Sequence, residues 1–182
     1  MTLMLKTKNL HLIGKNISLK DVNLNNVTSD YISWLNSNQV NQYLETRFTK
    51  YTIKSVKNYV SEIKKNKNII FLAIVRNSDS KHIGNIKLGE IDWNHKNGDI
   101  GVMIGDNDSW GKGFASESIL LLSNYSFNTL KLHKITAGIY SNNLGSIKAF
   151  KKARFKKEAI EKQHFWCKDH YVDAIRVAKF SD

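Results

Sequence analysis

The stretch of residues 100–130 constrains the fold of this chain most, because it joins a strand pattern to a helix pattern through one short turn. Ile100, Val102 and Ile104 alternate with other residues, which predicts a strand with one buried face. Four polar residues follow and predict a turn. From Phe114 onward, apolar residues recur at helical spacing. The stretch therefore predicts a strand, a turn and a long helix in direct succession.

Two glycines, Gly111 and Gly113, lie where the strand pattern gives way to the helix pattern, with Lys112 between them. A helix start leaves several backbone N–H groups without partners and carries partial positive charge. Glycines beside it have no side chain to block a ligand, so the turn can wrap a phosphate or a pyrophosphate. Lys112 adds a full positive charge. The turn therefore fits anion binding, although two glycines before a helix also serve an ordinary tight turn.

The glycine pattern excludes two common nucleotide-binding motifs. No Gly-Lys-Ser/Thr follows four residues after a first glycine, so the turn is not a P-loop. It also lacks the third small residue and the downstream acid that complete a dinucleotide-binding Rossmann fingerprint. If the turn binds an anion, it therefore belongs to a motif other than these two.

A second pattern, Asn-x-x-Ser-x-x-x-Phe-x-Lys-x-x-Phe, follows about thirty residues later. Its members are Asn143, Ser146, Phe150, Lys152 and Phe155. Together with Trp-Gly-Lys-Gly-Phe-Ala at residues 110–115, it resembles the two signatures of the GCN5-related N-acetyltransferase (GNAT) superfamily, in the same order. The branch that it resembles contains the ribosomal-protein N-terminal acetyltransferases, in which Trp-Gly-Lys-Gly is familiar.

Hydrophobic periodicity predicts the other elements of the chain. Strands are expected at residues 16–22, 69–76, 82–91, 134–140, 155–167 and 171–180. Helices are expected at residues 27–35, 40–44, 53–63 and 146–152, the third capped by Thr52. This order of elements is mixed α/β.

The resemblance covers about residues 16–180 and implies the GNAT fold, in which helices flank a central, mostly antiparallel, twisted sheet of about seven strands. The length of 182 residues suits one domain. We therefore expect a single acetyltransferase domain over residues 1–182, in which residues 1–15 are an N-terminal extension, flexible or ordered.

The resemblance also implies acetyl-CoA as the co-substrate and assigns its contacts. Backbone groups of one strand would contact the pantetheine arm and the thioester: Val102, Met103 and Ile104. N–H groups of the turn and helix start would hold the pyrophosphate: Gly111, Lys112, Gly113, Phe114, Ala115 and Ser116. The side-chain amide of Asn143 would bind the cofactor arm.

Phe150 stands where the family usually has a tyrosine that protonates the departing sulfur, and a phenyl ring cannot donate a proton. Ser146, one helical turn earlier, is the natural substitute, although its hydroxyl can also merely cap the short helix. For a general base, Glu90 or Asp92 near the end of the preceding strand could accept the proton of the amine, or either can be a surface acid. Catalysis chiefly by positioning would need no dedicated base.

Two residues are predicted to bind the acetyl acceptor. Trp34 lies on the apolar face of the first predicted helix, where packing is the ordinary role of such a residue. The resemblance implies that the first two helices line a substrate groove. Arg47 follows the second of these helices and could face that groove or be solvated.

Composition limits the partners. The 28 Lys and Arg residues against 16 Asp and Glu residues, a formal net charge of +12, suit any polyanionic ligand, CoA included. The basic residues are spread along the chain without a helix-turn-helix, zinc-finger or RNA-binding signature, so we expect no nucleic-acid partner.

Cysteine usage and hydropathy limit the location. The single cysteine, Cys167, excludes an internal disulfide, and no His, Cys, Asp or Glu cluster has the spacing of metal ligands, so no metal is expected. No apolar run approaches the ~20 residues of a membrane span. The first residues lack the core of a signal peptide. A cytoplasmic protein without a membrane partner is therefore expected.

The leading function hypothesis is an acetyl-CoA-dependent N-acetyltransferase that modifies a primary amine on a small molecule such as a nucleotide-linked amino sugar. A protein N-terminus or a polyamine is an alternative acceptor. Two alternatives belong to other classes: a non-catalytic CoA-binding sensor, which Phe150 suggests, and a basic RNA-binding module. We expect a monomer or a homodimer.

Overall fold

The computed structural model describes residues 9–181, which form one eight-stranded sheet with helices on both faces. The strands are β1 (His11–Ile13), β2 (Ile17–Asp21), β3 (Ile70–Arg76), β4 (His82–Asp92), β5 (Asn97–Ile104), β6 (Lys134–Tyr140), β7 (Lys156–Cys167) and β8 (His170–Phe180). The helices are α1 (Ser29–Asn36), α2 (Asn38–Asn41), α3 (Ile53–Ile63), α4 (Phe114–Asn128) and α5 (Leu144–Lys152). Short 3₁₀ turns occur at Leu24–Asn26, Glu45–Phe48 and Asn107–Ser109.

The sheet order β1-β2-β3-β4-β5-β6-β8-β7 is antiparallel except between β5 and β6. This confirms the predicted mixed α/β class and the mostly antiparallel sheet. Each strand predicted from the sequence is present with ends within three residues of the prediction. The eighth strand, β1, was not predicted. It pairs with β2 inside the segment expected as an N-terminal extension, whose residues 1–8 lie outside the described part.

Side chains of the central strands alternate between two cores, as the period of a strand requires. In β3, Leu72 and Ile74 pack in the larger core with α4 and α5. Ala73 and Val75 pack in the smaller core with α1 and α3. Both faces of the sheet are therefore buried, which explains the continuous apolar run of β3.

The start of α3 shows how local sequence sets a boundary. Thr52 Oγ1 accepts a hydrogen bond from the Ser55 N–H at 3.1 Å, and Ser55 Oγ accepts one from the Thr52 N–H at 2.9 Å. This reciprocal arrangement is a capping box that satisfies two otherwise unpaired donors. The predicted cap at Thr52 is confirmed.

The parallel pairing of β5 with β6 stops after three residue pairs, the last of which joins Asp99 to Thr136. Beyond it, β5 stays paired with β4 as far as Ile104, and β6 stays paired with β8 as far as Tyr140. The sheet thus opens as a wedge between two strands that each keep only one neighbour. Helix α4 connects these strands, so its first turn lies beside the opening.

No helix within residues 9–181 combines the length and the apolar character needed to cross a membrane.

Candidate active site

The divergence of β5 and β6 opens a cleft of about 590 Å³. Its lining comes from residues 39–44, β5, the turn before α4, the end of β6, and α5. These segments are distant in sequence and meet because α4 crosses over the sheet between two neighbouring parallel strands. The cleft therefore borders both the carboxyl end of β5 and the first turn of α4, a position that favours ligand binding in open sheets.

Gly111 and Gly113 both line this cleft and both adopt left-handed backbone conformations, with φ of 74° and 85°. Glycine adopts this conformation without the strain that a Cβ atom would add. Gly113 is the residue from which α4 begins, so its conformation sets the direction in which the first helical N–H groups point. The turn thus needs these glycines for its backbone path.

The backbone N–H groups at the start of α4 are available to a ligand. In the described chain, the N–H groups of residues 111–116 donate to no protein acceptor, whereas the next one, of Glu117, donates to Gly113 O at 3.1 Å. Unpaired N–H groups at a helix start attract an anion. The predicted anion-binding turn therefore has the donors and the open space that a pyrophosphate requires.

An ionic cluster around the buried carboxylate of Asp106 precedes this turn. Asp106 Oδ1 accepts a hydrogen bond from Lys81 Nζ at 2.8 Å, and Asp106 Oδ2 accepts from Arg76 Nη1 at 3.3 Å and from the Ser109 hydroxyl. Burial alone would raise the pKa of Asp106, but the hydrogen bonds from Lys81 and Ser109 outweigh it and lower the pKa below its ordinary value. The turn is thereby tied to the β3–β4 hairpin.

The side chain of Trp110 bonds this turn to the end of β5. Its indole N–H donates to Ile104 O, the carbonyl at the end of β5, at 2.8 Å. The ring is 40% exposed and lines the cleft. Trp110 therefore joins the end of β5 to the glycine turn through its own side chain.

The free edge of β5 presents backbone groups to the cleft. The Gly105 N–H bonds to Ile83 O on the β4 side at 2.9 Å. Since alternate residues of a strand turn their amide groups to opposite sides, Val102 and Ile104 direct theirs away from β4 and toward the opening. Trp110 takes the Ile104 carbonyl. The groups of Val102 are left for a ligand, while Met103 turns its own toward β4.

Asn143 has a defined structural role at the start of α5. Its side-chain Oδ1 accepts a hydrogen bond from the Ser146 N–H at 3.0 Å, which makes Asn143 the N-cap of the helix. The amide Nδ2 keeps its donor capacity and lies at the cleft, which Asn143 lines. Capping is therefore a function of Asn143, and the Ser146 hydroxyl is not needed for it.

Ser146 and Phe150 lie one helical turn apart on the cleft side of α5. The Ser146 hydroxyl has no protein partner within residues 9–181. Phe150 is only 3% exposed and packs edge-on against Phe155 at 5.1 Å. At this helix, therefore, a hydroxyl faces the cleft while the position usually held by tyrosine forms part of the core.

Lys148 and Lys152 are the charged residues among the described residues that line the cleft. They are four residues apart on α5 and so share one face of the helix. The Lys152 ammonium lies 3.5 Å from the position that a Cβ atom on Gly113 would occupy. Neither lysine has a role predicted from the sequence, although Lys152 belongs to the second signature and the two lysines have helical spacing.

The opposite end of the cleft is aromatic and contains a hydrogen-bond network. Tyr140 OH donates to Glu45 Oε1 at 2.7 Å and accepts from Arg47 Nη1 at 2.6 Å. Burial and the Glu45 hydrogen bond raise the pKa of Tyr140 to about 12, so the phenol stays protonated at neutral pH. The Tyr43 ring lies 5.5 Å from the Tyr140 ring, and both residues line the cleft.

Arg47 connects the segments of the chain that lie behind this hydrogen-bond network. Its guanidinium also donates to Leu44 O at 2.8 Å and to Trp166 O at 2.7 Å, and its side chain is 14% exposed. The ring of Phe48 lies 4.1 Å from the guanidinium carbon. The donors of Arg47 thus join the 3₁₀ turn, β6 and β7, and Arg47 is not part of the cleft lining.

Three other predicted residues lie away from the cleft. Lys112 is exposed in the turn and is outside the lining. Glu90 is exposed at an irregularity of β4, level with the residues of β5 that are still paired with β6 and so outside the opening. Trp34 is buried against His82 at 5.2 Å and lies so close to Gly105 that no Cβ atom would fit there.

The structure brings the remaining predicted site residues together in the cleft. They are Val102, Met103, Ile104, Gly111, Gly113, Phe114, Ala115, Ser116, Asn143 and Ser146. From the sequence, Tyr140 is only a less favoured proton donor or a core residue, and Tyr43 is not placed in the cleft. No local pattern marks these two tyrosines, because their places depend on the packing of residues 39–44 against the end of β6.

Comparison with known proteins agrees with this geometry. A family model described as the acetyltransferase (GNAT) domain matches residues 22–156. The probable N-acetyltransferase YjcK of Bacillus subtilis is 34% identical over 128 residues, which are 67% of this chain and 69% of that protein. The chain therefore belongs to the GNAT family. It is an acyltransferase that uses acetyl-CoA and acts on an amine, as the sequence predicted.

Solved structures with low sequence identity share the fold. The spermidine N-acetyltransferase of Vibrio cholerae, in complex with CoA and spermine, has a TM-score of 0.82 at 19% identity and covers 92% of this chain and 97% of its own. The ribosomal-protein-S5-alanine acetyltransferase of Vibrio fischeri has a TM-score of 0.79 at 18% identity, with 96% and 98% covered. The predicted fold is thereby confirmed.

Proposed function

We propose that the cleft holds acetyl-CoA with its pyrophosphate on the N–H groups of residues 111–116 and its pantetheine arm along Val102. The observation that carries this proposal is the row of unpartnered N–H groups, which opens onto the cleft between the diverging strands. The acetyl group is transferred to a primary amine of a small molecule, which enters past Tyr43 and Tyr140.

Different residues of the cleft have different roles in the proposed reaction. When bound, acetyl-CoA supplies an acetyl thioester that is activated toward amines. Val102 and Asn143 Nδ2 offer polar groups that orient the cofactor arm, and the Ser146 hydroxyl is free to donate a hydrogen bond to the sulfur as the C–S bond breaks. The new bond joins the acetyl carbon to the nitrogen of the acceptor, which loses one proton.

The proposal needs no dedicated base. Lys148 and Lys152 supply the charges in the described lining, and Glu90 lies elsewhere. We therefore assign catalysis chiefly to the positioning of the two reactants, a contribution that can be large when the geometry is held. The acceptor then reacts as the free amine, and its proton passes to water.

The charges at the acceptor end favour one acceptor class. The guanidinium of Arg47 is already engaged by Leu44, Tyr140 and Trp166, so it offers little to the phosphates of a nucleotide-linked sugar. Glu45 is likewise engaged, because its carboxylate accepts from Tyr140 OH at 2.7 Å and lies 3.5 Å from Arg47 Nη1. The faces of the Tyr43 and Tyr140 rings, which line the cleft, suit a cationic amine. We therefore favour the polyamine alternative, which the likeness to a spermidine N-acetyltransferase also supports.

A variant pair tests the cofactor site. Gly113→Asp should lower CoA affinity more than about 100-fold, since the carboxylate would take the free N–H groups and repel phosphate. Gly113→Asn is the matched control, because it has the same side-chain shape at φ 85° but no charge. Isothermal titration with CoA measures both. Wild-type affinity in Gly113→Asp would refute the pyrophosphate site.

An acceptor panel tests the reaction. Thiol release from acetyl-CoA is measured with spermidine, an amino sugar linked to a nucleoside diphosphate, a peptide N-terminus and random RNA. Turnover with spermidine above the others is expected. Faster turnover with the nucleotide-linked sugar or the peptide would reverse our choice of acceptor. Tight CoA binding without turnover on any amine would favour the sensor hypothesis, and RNA binding near physiological salt would favour the RNA-binding hypothesis.

The oligomeric state, the absence of a nucleic-acid partner, the single-domain boundary and the cytoplasmic location stay predictions from the sequence. Within residues 9–181, no three His, Cys, Asp or Glu side chains are grouped to hold a metal ion.

A further inference from the structure

The free N–H groups at the start of α4 belong to a segment that they do not themselves hold in place. Within residues 9–181, the N–H groups of residues 111–116 donate to no protein acceptor. Gly111 and Gly113 also leave this stretch of backbone freer than other residues would. Contacts outside the segment must therefore fix the direction in which these N–H groups point.

The turn between β1 and β2 bonds to the first turn of α4 through Glu117. The Asn16 N–H donates to Glu117 Oε1 and Asn16 Nδ2 donates to Glu117 Oε2, both at 2.9 Å. A Cβ atom added to Gly14 would lie 2.5 Å from Glu117 Oε1 and 2.8 Å from Leu121 Cδ1. The turn and the helix are therefore in direct contact, which glycine at position 14 makes possible.

The β1–β2 turn is in its own right fixed to the end of β3. The Asn77 N–H donates to Asn16 O at 2.9 Å, and Asn77 Nδ2 donates to Gly14 O at 3.0 Å. Asn77 comes directly after the last residue of β3. The partner of Glu117 is therefore held by the sheet and does not depend on α4 for its position.

Two adjacent residues at the end of β3 thus hold the chain on both sides of the glycine turn. Before the turn, Arg76 Nη1 donates to Ser109 Oγ at 2.9 Å and to Asp106 Oδ2 at 3.3 Å. After the turn, Asn77 holds Glu117 through the β1–β2 turn. The glycine turn lies between these two attachments.

We propose that Glu117 and Asn16 are positioning residues for the cofactor, which keep the start of α4 where its free N–H groups meet the diphosphate. This inference rests on the proposed function, since it assumes that the cofactor occupies the cleft. Neither residue is part of the cleft lining, so both act through the backbone of α4. Donors that are already oriented bind a ligand more tightly, because less conformational freedom is lost on binding.

Glu117 offers a matched pair of variants. Glu117→Gln removes the charge and keeps both hydrogen bonds, since the introduced amide oxygen accepts from the Asn16 N–H and the introduced NH₂ donates to the side-chain oxygen of Asn16 once that amide has turned over. Glu117→Ala removes the same charge together with both bonds. The two variants therefore have the same net charge and differ in the attachment to Asn16.

Asn68→Ala is the control for a general loss of stability. Asn68 lies just before β3, at the opposite end of that strand from Asn77, and its Oδ1 accepts a hydrogen bond from Trp93 Nε1 at 2.9 Å. The variant loses this bond without touching α4. Asn16→Ala, which keeps the backbone bond to Glu117, is the milder test if Glu117→Ala folds poorly.

Isothermal titration with CoA measures Kd, and urea denaturation of the same proteins measures the free energy of unfolding. Glu117→Ala should bind CoA about threefold to tenfold more weakly than Glu117→Gln, a factor that corresponds to about one hydrogen bond. Asn16→Ala should weaken CoA binding in the wild-type background and have no further effect in Glu117→Ala. Asn68→Ala should have the wild-type Kd although its stability is lower.

Equal CoA affinity of Glu117→Gln and Glu117→Ala would refute the inference and leave the attachment a role in stability alone. A comparable loss of affinity in Asn68→Ala would also refute it, because reduced stability would then explain the effect. An Asn16→Ala effect that is as large in Glu117→Ala as in the wild type would show that the two residues do not act together. Failure of the wild type to bind CoA at all would instead refute the proposed function.

Discussion

At the scale of single residues, the structure shows which side-chain atoms are already hydrogen-bonded within the protein and which are free for a ligand, a distinction that the sequence signatures do not make. Asn143 caps α5 with its oxygen and keeps its nitrogen for a ligand. Ser146 is thereby released from capping, and its hydroxyl faces the cleft without a protein partner. The guanidinium of Arg47, by contrast, donates to Leu44 O and Trp166 O and so is not free to bind a ligand. The chemistry that a side chain can perform here depends more on which of its atoms is free of protein partners than on the residue type.

Ser146→Ala should lower kcat about 10-fold to 100-fold, because the departing sulfur loses a hydrogen-bond donor in the transition state. The Kd for CoA should not change, since the Ser146 N–H and its cap remain. Ser146→Thr keeps the hydroxyl and is the matched control. Steady-state kinetics with titrated CoA would exclude Ser146 from the mechanism if Ser146→Ala turned over at the wild-type rate.

At the scale of elements, helix ends set the geometry of the site. The start of α4 supplies free N–H groups, the start of α5 presents Asn143 and Ser146, and the end of α5 supplies Lys152. The end of α5 includes a strained residue, because Arg154 has φ of 67° just after the C-cap. The Phe155 N–H closes this turn on Phe150 O at 3.0 Å. Such a turn favours glycine at the position of Arg154.

Arg154→Gly should raise the free energy of unfolding by about 1 kcal/mol, because glycine adopts the left-handed conformation without strain from a Cβ atom. Arg154→Ala has the same charge change but keeps the Cβ atom, so it should give no comparable gain. Urea denaturation of the three proteins measures the difference. A destabilised glycine variant would mean that the Arg154 side chain contributes more than its backbone strain removes.

At the scale of the whole molecule, function depends on how the sheet is interrupted. The wedge between β5 and β6 forms because their pairing ends at Asp99 while each strand continues with its other neighbour. The turn at one side of this wedge is tied to the β3–β4 hairpin through Asp106. The cluster around Asp106 thus links the distant hairpin to the glycine-turn end of the cleft.

Asp106→Asn should lower the free energy of unfolding by about 1–3 kcal/mol at pH 7, because Arg76 and Lys81 lose the counter-charge that the buried carboxylate provides. The folded-state pKa of Asp106 lies below the ordinary value of 3.8, so the ionised contacts stabilise the fold above that value and are lost as the pH falls through the lowered pKa. Denaturation at a series of pH values should therefore show the two proteins converging only in acid. A difference that stayed constant to low pH would contradict this role.

Local sequence patterns were enough to predict the strands, the helices and the glycine turn at the start of α4. Strands and helices follow from the spacing of apolar residues, and the glycine turn and the N-caps depend on neighbours within three or four positions, so local patterns suffice for them. Only the tertiary structure decided the acceptor end. Arg47 and Tyr140 are 93 residues apart in the chain and meet through the register of β6 with β8 and the packing of residues 39–44. No local pattern specifies such a contact, and for the same reason the positions of Glu90, Trp34 and Lys152 relative to the cleft became known only from the fold.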